Sequence, residues 1–377
     1  MINILYVLVI LIMTSACSST EPPKVPIKEL KNSEVPLNIE TVLKDADGVI
    51  WSFVILPDGR YLLALREGEF KVFDPKTKKL KSVSGAPKVY ADGQAGLLDL
   101  VLSPTFKKDK RVYYTYSGIE KNGSATTLAT AIFDEDKMKD TKILFAARPI
   151  QDTPYHFGSR IVFDNEGHLF VSIGERNIRD LAQDLSTHMG KIIRLKLDGS
   201  VPSDNPFISN KKAKPEIWSY GHRNPQGLFF DKKNNKLWVN EHGPKGGDEI
   251  NLVKKAANYG WPLATYGREY YGPRVSDNVA LPFAEDPRHV WLPSIAPSEL
   301  IIYEGDAFPT WKGSFLSGAL ALKHLNRVEM KNGYSVKEER YLNSLDERIR
   351  SIETDEMGNI LVGTDLGVIY KLTPLTR

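Results

Sequence analysis

The chain has 377 residues, with 50 Lys plus Arg against 47 Asp plus Glu, one Cys, 41% hydrophobic residues, 28 Gly and 23 Pro. That composition excludes disorder, a collagen repeat and a disulfide scaffold. A formal charge of +3 with acids and bases interspersed gives no footprint for nucleic acid and no polybasic patch for a membrane, so small or neutral partners are favoured.

The first element is an address. Ile4 to Met13 form an apolar run of ten, too short to span a bilayer and about right for the hydrophobic region of a signal peptide. Thr14-Ser15-Ala16 are small residues directly before Cys17, the sole Cys, and the stretch resembles a bacterial lipoprotein cleavage site. The reading is a signal peptide over 1–16, lipidation of Cys17, a polar Pro-rich tether over 17–40 and a folded domain over 41–377. This places the chain in the bacterial cell envelope, periplasmic and held to the outer membrane by its lipid. Because the segment before the apolar run has no Lys or Arg, a plain secretory signal or an uncleaved anchor remains the alternative.

From residue 50 onward one pattern recurs: a short apolar strand, a turn of Asp, Asn, Pro and Gly, and a second strand rich in Val, Leu and aromatics. It appears at 55–65, 101–117, 161–174, 228–243 and 352–365, anchored by Asp58, Pro104, Asp164, Asp231 and Asp355. The last interval is about two periods, and a further unit belongs near residue 300. Six repeats of about 60 residues predict an all-β fold, a six-bladed β-propeller, whose radial repetition leaves only short protected sheet edges. A pair of β-sandwiches is the runner-up. No composition break or linker interrupts residues 50–375, and this favours the propeller.

In a propeller, the loops before the blade strands ring the central channel. His156, in PYHFGSRIVFD just before such a strand, is therefore placed to act as a general base with a pKa near working pH. Arg223-Asn224-Pro225 follow a Gly-His pair at a strand end, so a guanidinium and an amide point together at an anionic, oxygen-rich ligand or, alternatively, cap loop carbonyls. The segment EHGPKGGDE, residues 241–249, concentrates carboxylates with Gly and Pro. Such a loop offers all-oxygen ligands suited to Ca²⁺, though a generic acidic turn looks similar. Cysteine ligation, HExxH, the P-loop, GxGxxG and GxSxG are all missing from the sequence, which argues against a zinc enzyme, nucleotide chemistry and a nucleophile-elbow hydrolase.

Eight ordered segments between residues 45 and 374 carry a resemblance: GQAGLLDL (93–100), HFGSRIVFD (156–164), GERN (174–177), GKIIRLKLDGSVPSDNPF (190–207), EIWSYGHRNPQGL (216–228), NEHGPKGGDEIN (240–251), NYGWPLATYG (258–267) and ERIRSIETDEMG (347–358). The chain resembles the soluble aldose sugar dehydrogenases of the glucose/sorbosone dehydrogenase family, six-bladed propellers that use pyrroloquinoline quinone (PQQ) and Ca²⁺. The resemblance implies that His156 takes the proton from the sugar C1 hydroxyl. It also implies that Arg223 and Asn224 contact the quinone near its reactive carbonyls, that Gln94 and, less directly, Tyr270 contact the cofactor, and that Arg348 and Arg350 face its carboxylates. Gly243 and Pro244 match positions whose carbonyls hold the cofactor-bound Ca²⁺, and Glu249 and Tyr259 match a second, structural Ca²⁺ site. The products expected are lactones, and the electrons pass to an external acceptor.

Two departures stand out. Relatives commonly carry a Lys directly after the triplet matched by Gly318-Ala319-Leu320; here Ala321 follows, and the next Lys is Lys323. Lys323 lies on the same strand face if the strand continues, and then pairs with a quinone carboxylate; otherwise it is a solvated edge lysine. Tyr155 stands where some relatives have an acid beside the base, which leaves the imidazole without an orienting partner. The rival readings are a Ca²⁺-dependent propeller lactonase, for which Arg223, Arg348 and Arg350 have no use, and a non-catalytic binding propeller, monomeric or homodimeric like the enzyme.

Overall fold

The computed structural model describes residues 31–32 and 37–375. The expected signal peptide and Cys17 lie outside the described residues. Six antiparallel sheets of four strands each form the body, and the fifth is extended by a short parallel strand, Lys31–Asn32. The innermost strands are Ile50–Ile55, Leu97–Leu102, Gly158–Phe163, Pro225–Asp231, Pro297–Ile302 and Ile349–Thr354. Each touches the next, and the sixth touches the first, so the ring is closed.

Closure depends on the N-terminal segment. Leu37–Leu43 pairs antiparallel with Ile369–Pro374, Leu37 opposite Pro374 and Leu43 opposite Ile369, and becomes the outer strand of the sixth blade. The domain start expected at 41 falls inside this strand. As an outer edge strand it buries only Val42 and Leu43, so it carries no apolar alternation that the sequence reading can detect.

The repeat visible in the sequence is the first hairpin of each blade. Its Asp anchors share one local reason: the carboxylate accepts main-chain N–H groups two to four residues on, as in Asp58 to Arg60, Asp164 to Glu166 and His168, Asp231 to Asn234, and Asp355 to Met357 and Asn359. These side-chain turns set the direction of the returning strand. Strands such as Tyr61–Leu65, buried at every position, read as continuous apolar runs because both sheet faces are covered. The core lies in wedges between blades, for example Leu62, Phe70 and Val72 of the first blade against Leu100, Tyr114 and Ala129 of the second. Each of the larger apolar side chains there, such as Leu62 or Phe70, contributes about 1.5–3 kcal/mol through loss of apolar contact with water.

Charged groups tie the blades together at the axis. Arg160, on the inner strand of the third blade, donates through Nη1 to Asp99 of the second at 2.8 Å and to Glu299 of the fifth at 3.1 Å. Glu353 of the sixth blade joins this group, and burial together with the negative charges of Glu299 and Asp99 pushes its carboxyl well above the usual range. The loops at one end of the ring stand on this charged plug.

Candidate active site

A cavity of about 280 Å³ opens among the loops that surround the axis, and its walls include Gln94, His242, Tyr270, Arg348 and Arg350. Sequence positions more than 250 residues apart meet here because each blade contributes the loop before or after its inner strand.

His156 lies two residues before Gly158, the start of the inner strand of the third blade, and is 7% exposed. Its backbone is left-handed, φ 53°, a conformation uncommon for a residue with a Cβ and typical of strained functional positions. The main-chain N–H of His156 donates to Gln94 Oε1 at 2.8 Å, which fixes the loop. Gly174 passes so close to the His156 carbonyl that a Cβ there would collide with it, so only glycine fits. Nδ1 of His156 lies 2.9 Å from Glu175 Oε1. A carboxylate only accepts, so Nδ1 carries the proton and Nε2 keeps the lone pair. Burial lowers the His156 pKa, aided by the Arg223 charge, and outweighs the opposing pull of Glu175; the imidazole is therefore neutral at neutral pH. Glu175, from the GERN segment, supplies the orienting acid that Tyr155 does not. Sequence reasoning missed it because it lies 19 residues away and meets His156 only when two loops of one blade fold over each other.

Arg223 and Asn224 lie next to His156 in space. Asn224 Oδ1 accepts from Gly158 N and from Gln226 Nε2, both at 3.2 Å, and its Nδ2 is 3.4 Å from His242 Nδ1. Burial keeps His242 neutral, its pKa lowered to about 3. Its Nε2 donates to Pro297 O at 2.8 Å, so its Nδ1 is the acceptor for the Asn224 amide. Arg223 donates through Nη1 to the carbonyls of Gly243 at 2.7 Å and His242 at 3.2 Å, and its guanidinium lies 5.3 Å from the Trp261 ring centroid. Thus the pair assigned to the cofactor and the loop assigned to Ca²⁺ are in direct contact.

The oxygen-rich loop is organised from within. Asp248 accepts from Gly243 N, Ser294 Oγ, Ile295 N and Ala296 N, holding the loop against the fifth blade. The Pro244 carbonyl accepts from Ser294 Oγ at 3.3 Å. Behind it is a small cavity of about 20 Å³ with Glu241, Gly243, Glu249, Tyr259 and Thr265 among its lining residues. Burial, reinforced by the negative charge of Glu241, pushes the Glu249 carboxyl up to about 8. Asn251 Nδ2 lies between the two acids, 3.2 Å from Glu241 and 3.1 Å from Glu249, and Glu241 also bonds His222 Nδ1 and Arg223 N. Two carboxylates and backbone oxygens form a donor set of the kind a hard divalent cation takes, with the Arg223 guanidinium, which donates to the Gly243 carbonyl, on the same wall. The Tyr259 hydroxyl is already bonded to Lys254 N and Leu252 O, which leaves its main-chain oxygen as the donor available to an ion.

Arg348 and Arg350 both reach the cavity and share Asp365. Arg348 Nε and Arg350 Nε each donate at 2.7 Å, and Arg350 Nη2 adds a third bond at 2.9 Å. Burial acts to raise the Asp365 pKa, but the two guanidinia outweigh it and hold the group below its usual range. Its folded pKa being depressed, this interaction stabilises the fold above the unfolded value of 3.8 and is lost as pH falls through the folded one. Asp365→Asn should lower stability at neutral pH by about 3 kcal/mol, as expected when one partner of a buried pair is removed. Urea midpoints at pH 7 and pH 3 check this, and the difference should shrink in acid.

Lys323 stands apart. The strand Phe315–Ala319 ends before it and the next begins at His324, so Lys323 sits in the hairpin turn with φ 48° and not on a continuing strand face. Its ammonium pairs with Asp346 at 3.0 Å, and its side chain is 40% exposed. The cavity wall at this point is Leu320. The structure thus brings together Gln94, His156, Arg223, Asn224, Tyr270, Arg348 and Arg350, with Gly243, Pro244, Glu249 and Tyr259 behind them, and leaves Lys323 outside.

Comparison with known proteins places the chain in a family. The family model described as Glucose / Sorbosone dehydrogenase matches residues 48–371. The chain is 39% identical over 346 residues to the Escherichia coli aldose sugar dehydrogenase YliI, covering 90% of this chain and 93% of that one. Its fold superposes on the soluble aldose sugar dehydrogenase from Escherichia coli in the apo-form with a TM-score of 0.86 and 38% identity, over 90% of this chain and 99% of the other. The PQQ-bound aldose sugar dehydrogenase from Streptomyces coelicolor superposes with a TM-score of 0.74 and 25% identity, over 90% and 98%. A family match over residues 48–371, together with 39% identity to a relative over 90% of the chain, means that the chain belongs to the glucose/sorbosone dehydrogenase family.

Proposed function

We propose that this protein oxidises the C1 hydroxyl of aldose sugars to the lactone with PQQ and Ca²⁺, and passes the electrons to an external acceptor. The observation that carries the reading is His156: a buried neutral imidazole, oriented by Glu175, with a free lone pair on Nε2 beside a cavity walled by arginines. When bound, the quinone supplies the two-electron acceptor and the calcium ion acts as a Lewis acid on its carbonyl.

This chain's residues do the rest. His156 Nε2 takes the hydroxyl proton as C1 gives up its hydride, and the sugar thereby loses two electrons and two protons in all. The imidazolium formed at His156 is stabilised by the Glu175 carboxylate against Nδ1. Arg223 and Asn224 present donors where oxyanion charge develops. Buried walls at Phe157, Leu98 and Trp51 exclude water from the lower part of the cavity. The leader and Cys17 support a periplasmic, lipid-anchored placement, which gives access to exogenous sugars.

The test is reconstitution. Protein lacking residues 1–20, which retains the closing strand, is stripped with chelator and given PQQ with and without Ca²⁺ while dye reduction by a panel of aldoses is followed. Turnover requiring both additions is expected. Folded protein that binds neither and turns over no sugar would refute the reading.

A further inference from the structure

Three arginines and no acidic residue line the mouth cavity: Arg66, Arg348 and Arg350. Arg348 and Arg350 share the single negative charge of Asp365. Arg66 is different. Among the described residues its ion pair is with Glu67, with Nη2 3.7 Å from Oε1, beyond hydrogen-bond range, and Glu67 itself is committed through Oε2 to Val49 N at 3.0 Å.

The Arg66 backbone is fixed. It directly follows the strand Tyr61–Leu65, its N–H donates to Val49 O, and its carbonyl accepts from Leu97 N, both at 3.0 Å. These bonds lock it between the first and second blades. A Cβ on Gly96 would collide with the Arg66 carbonyl, so the close crossing of the two blades here requires a glycine. The guanidinium, its side chain 32% exposed, thus has one loose ion pair and no side-chain hydrogen bond among the described residues, on a rigid support.

We propose that Arg66 supplies the third positive charge for the polycarboxylate cofactor, the role that Lys323 cannot take from its turn. The inference rests on the PQQ reading above. It assigns one carboxylate of the ligand to the Arg66 side of the cavity, on the first blade and so beside the sixth blade that carries Arg348 and Arg350. A planar guanidinium suits this because it grips a carboxylate through two parallel N–H bonds. Lys323, already paired with Asp346, contributes nothing to affinity.

The experiment measures binding by quenching of tryptophan fluorescence, which needs no turnover, using PQQ and, separately, benzene-1,3,5-tricarboxylate as a redox-inert probe. Arg66→Gln is expected to weaken both ligands about 10- to 100-fold, the range for one charge-assisted contact. Arg66→Lys should recover part of that loss, and Lys323→Ala should bind as the parent does. Circular dichroism and melting curves matched to the parent show that the variants are folded. Parental affinity in Arg66→Gln, or a loss carried by Lys323→Ala instead, overturns the proposal. So does a parent that binds neither ligand. A parent that holds the tricarboxylate through Arg66 yet shows no PQQ-dependent turnover upholds the anion site and refutes the proposed reaction.

Discussion

Replacing His156 by Asn is expected to lower kcat by about 100- to 10,000-fold, the usual contribution of a positioned general base, while PQQ binding changes little. Asn is the right replacement because the backbone at 156 is left-handed, a region Asn tolerates better than Ala; the loop then survives and only the proton acceptor is lost. Burial lowers the His156 pKa below 6.5. The base must be neutral to accept the proton, so kcat should rise with pH along an acid limb centred below 6.5 and be flat above it. Glu175→Gln should weaken the imidazolium and displace that limb further toward acid. An unchanged kcat in His156→Asn, or an acid limb near pH 8, would contradict the assignment.

Calcium should stabilise the fold, and more so as pH rises. Glu249 has its pKa raised by burial and by Glu241 to about 8. A carboxyl whose folded pKa lies above its unfolded one costs stability progressively as pH climbs from the unfolded value of 4.5 toward 8, because the unfolded chain releases the proton first. A bound divalent cation reverses this, since it requires the ionised form. At a free Ca²⁺ concentration about a hundred times the dissociation constant, the gain is about 2.7 kcal/mol. Glu249→Gln should remove that gain. Without calcium at pH 9, the same variant should melt higher than the parent, because no charge is then buried beside Glu241. Melting curves with chelator or Ca²⁺ at pH 6 and pH 9 give the crossing. Equal calcium responses in parent and variant would eliminate Glu249 as a ligand.

The propeller was legible because its repeat is local. Each first hairpin needs its own turn residue and its own apolar strands, so Asp58, Asp164, Asp231 and Asp355 announce the blades without any long-range information. The outer strand Leu37–Leu43 was not legible, since an exposed edge strand carries little apolar signal and its partner lies more than 300 residues away. Family motifs named His156, Arg223, Arg348 and Arg350 as candidates, but the residues that hold them, Glu175, His242 and Asp365, act across loops of different strands or blades. Lys323 shows the opposite case. Spacing of two suggested a shared strand face, and the fold ended the strand at Ala319, turning the ammonium toward Asp346.

By itself, then, the sequence determined the blade count, the turn chemistry and the residue types available for the reaction, because these depend on near neighbours and periodicity. The tertiary structure alone decided which charges are neutralised and which face the cavity. Arg66 has only a loose ion pair with Glu67 while Arg348 is hydrogen-bonded to Asp365, although no local pattern separates them, because the distances that set electrostatic pairing are fixed only when the ring of blades closes.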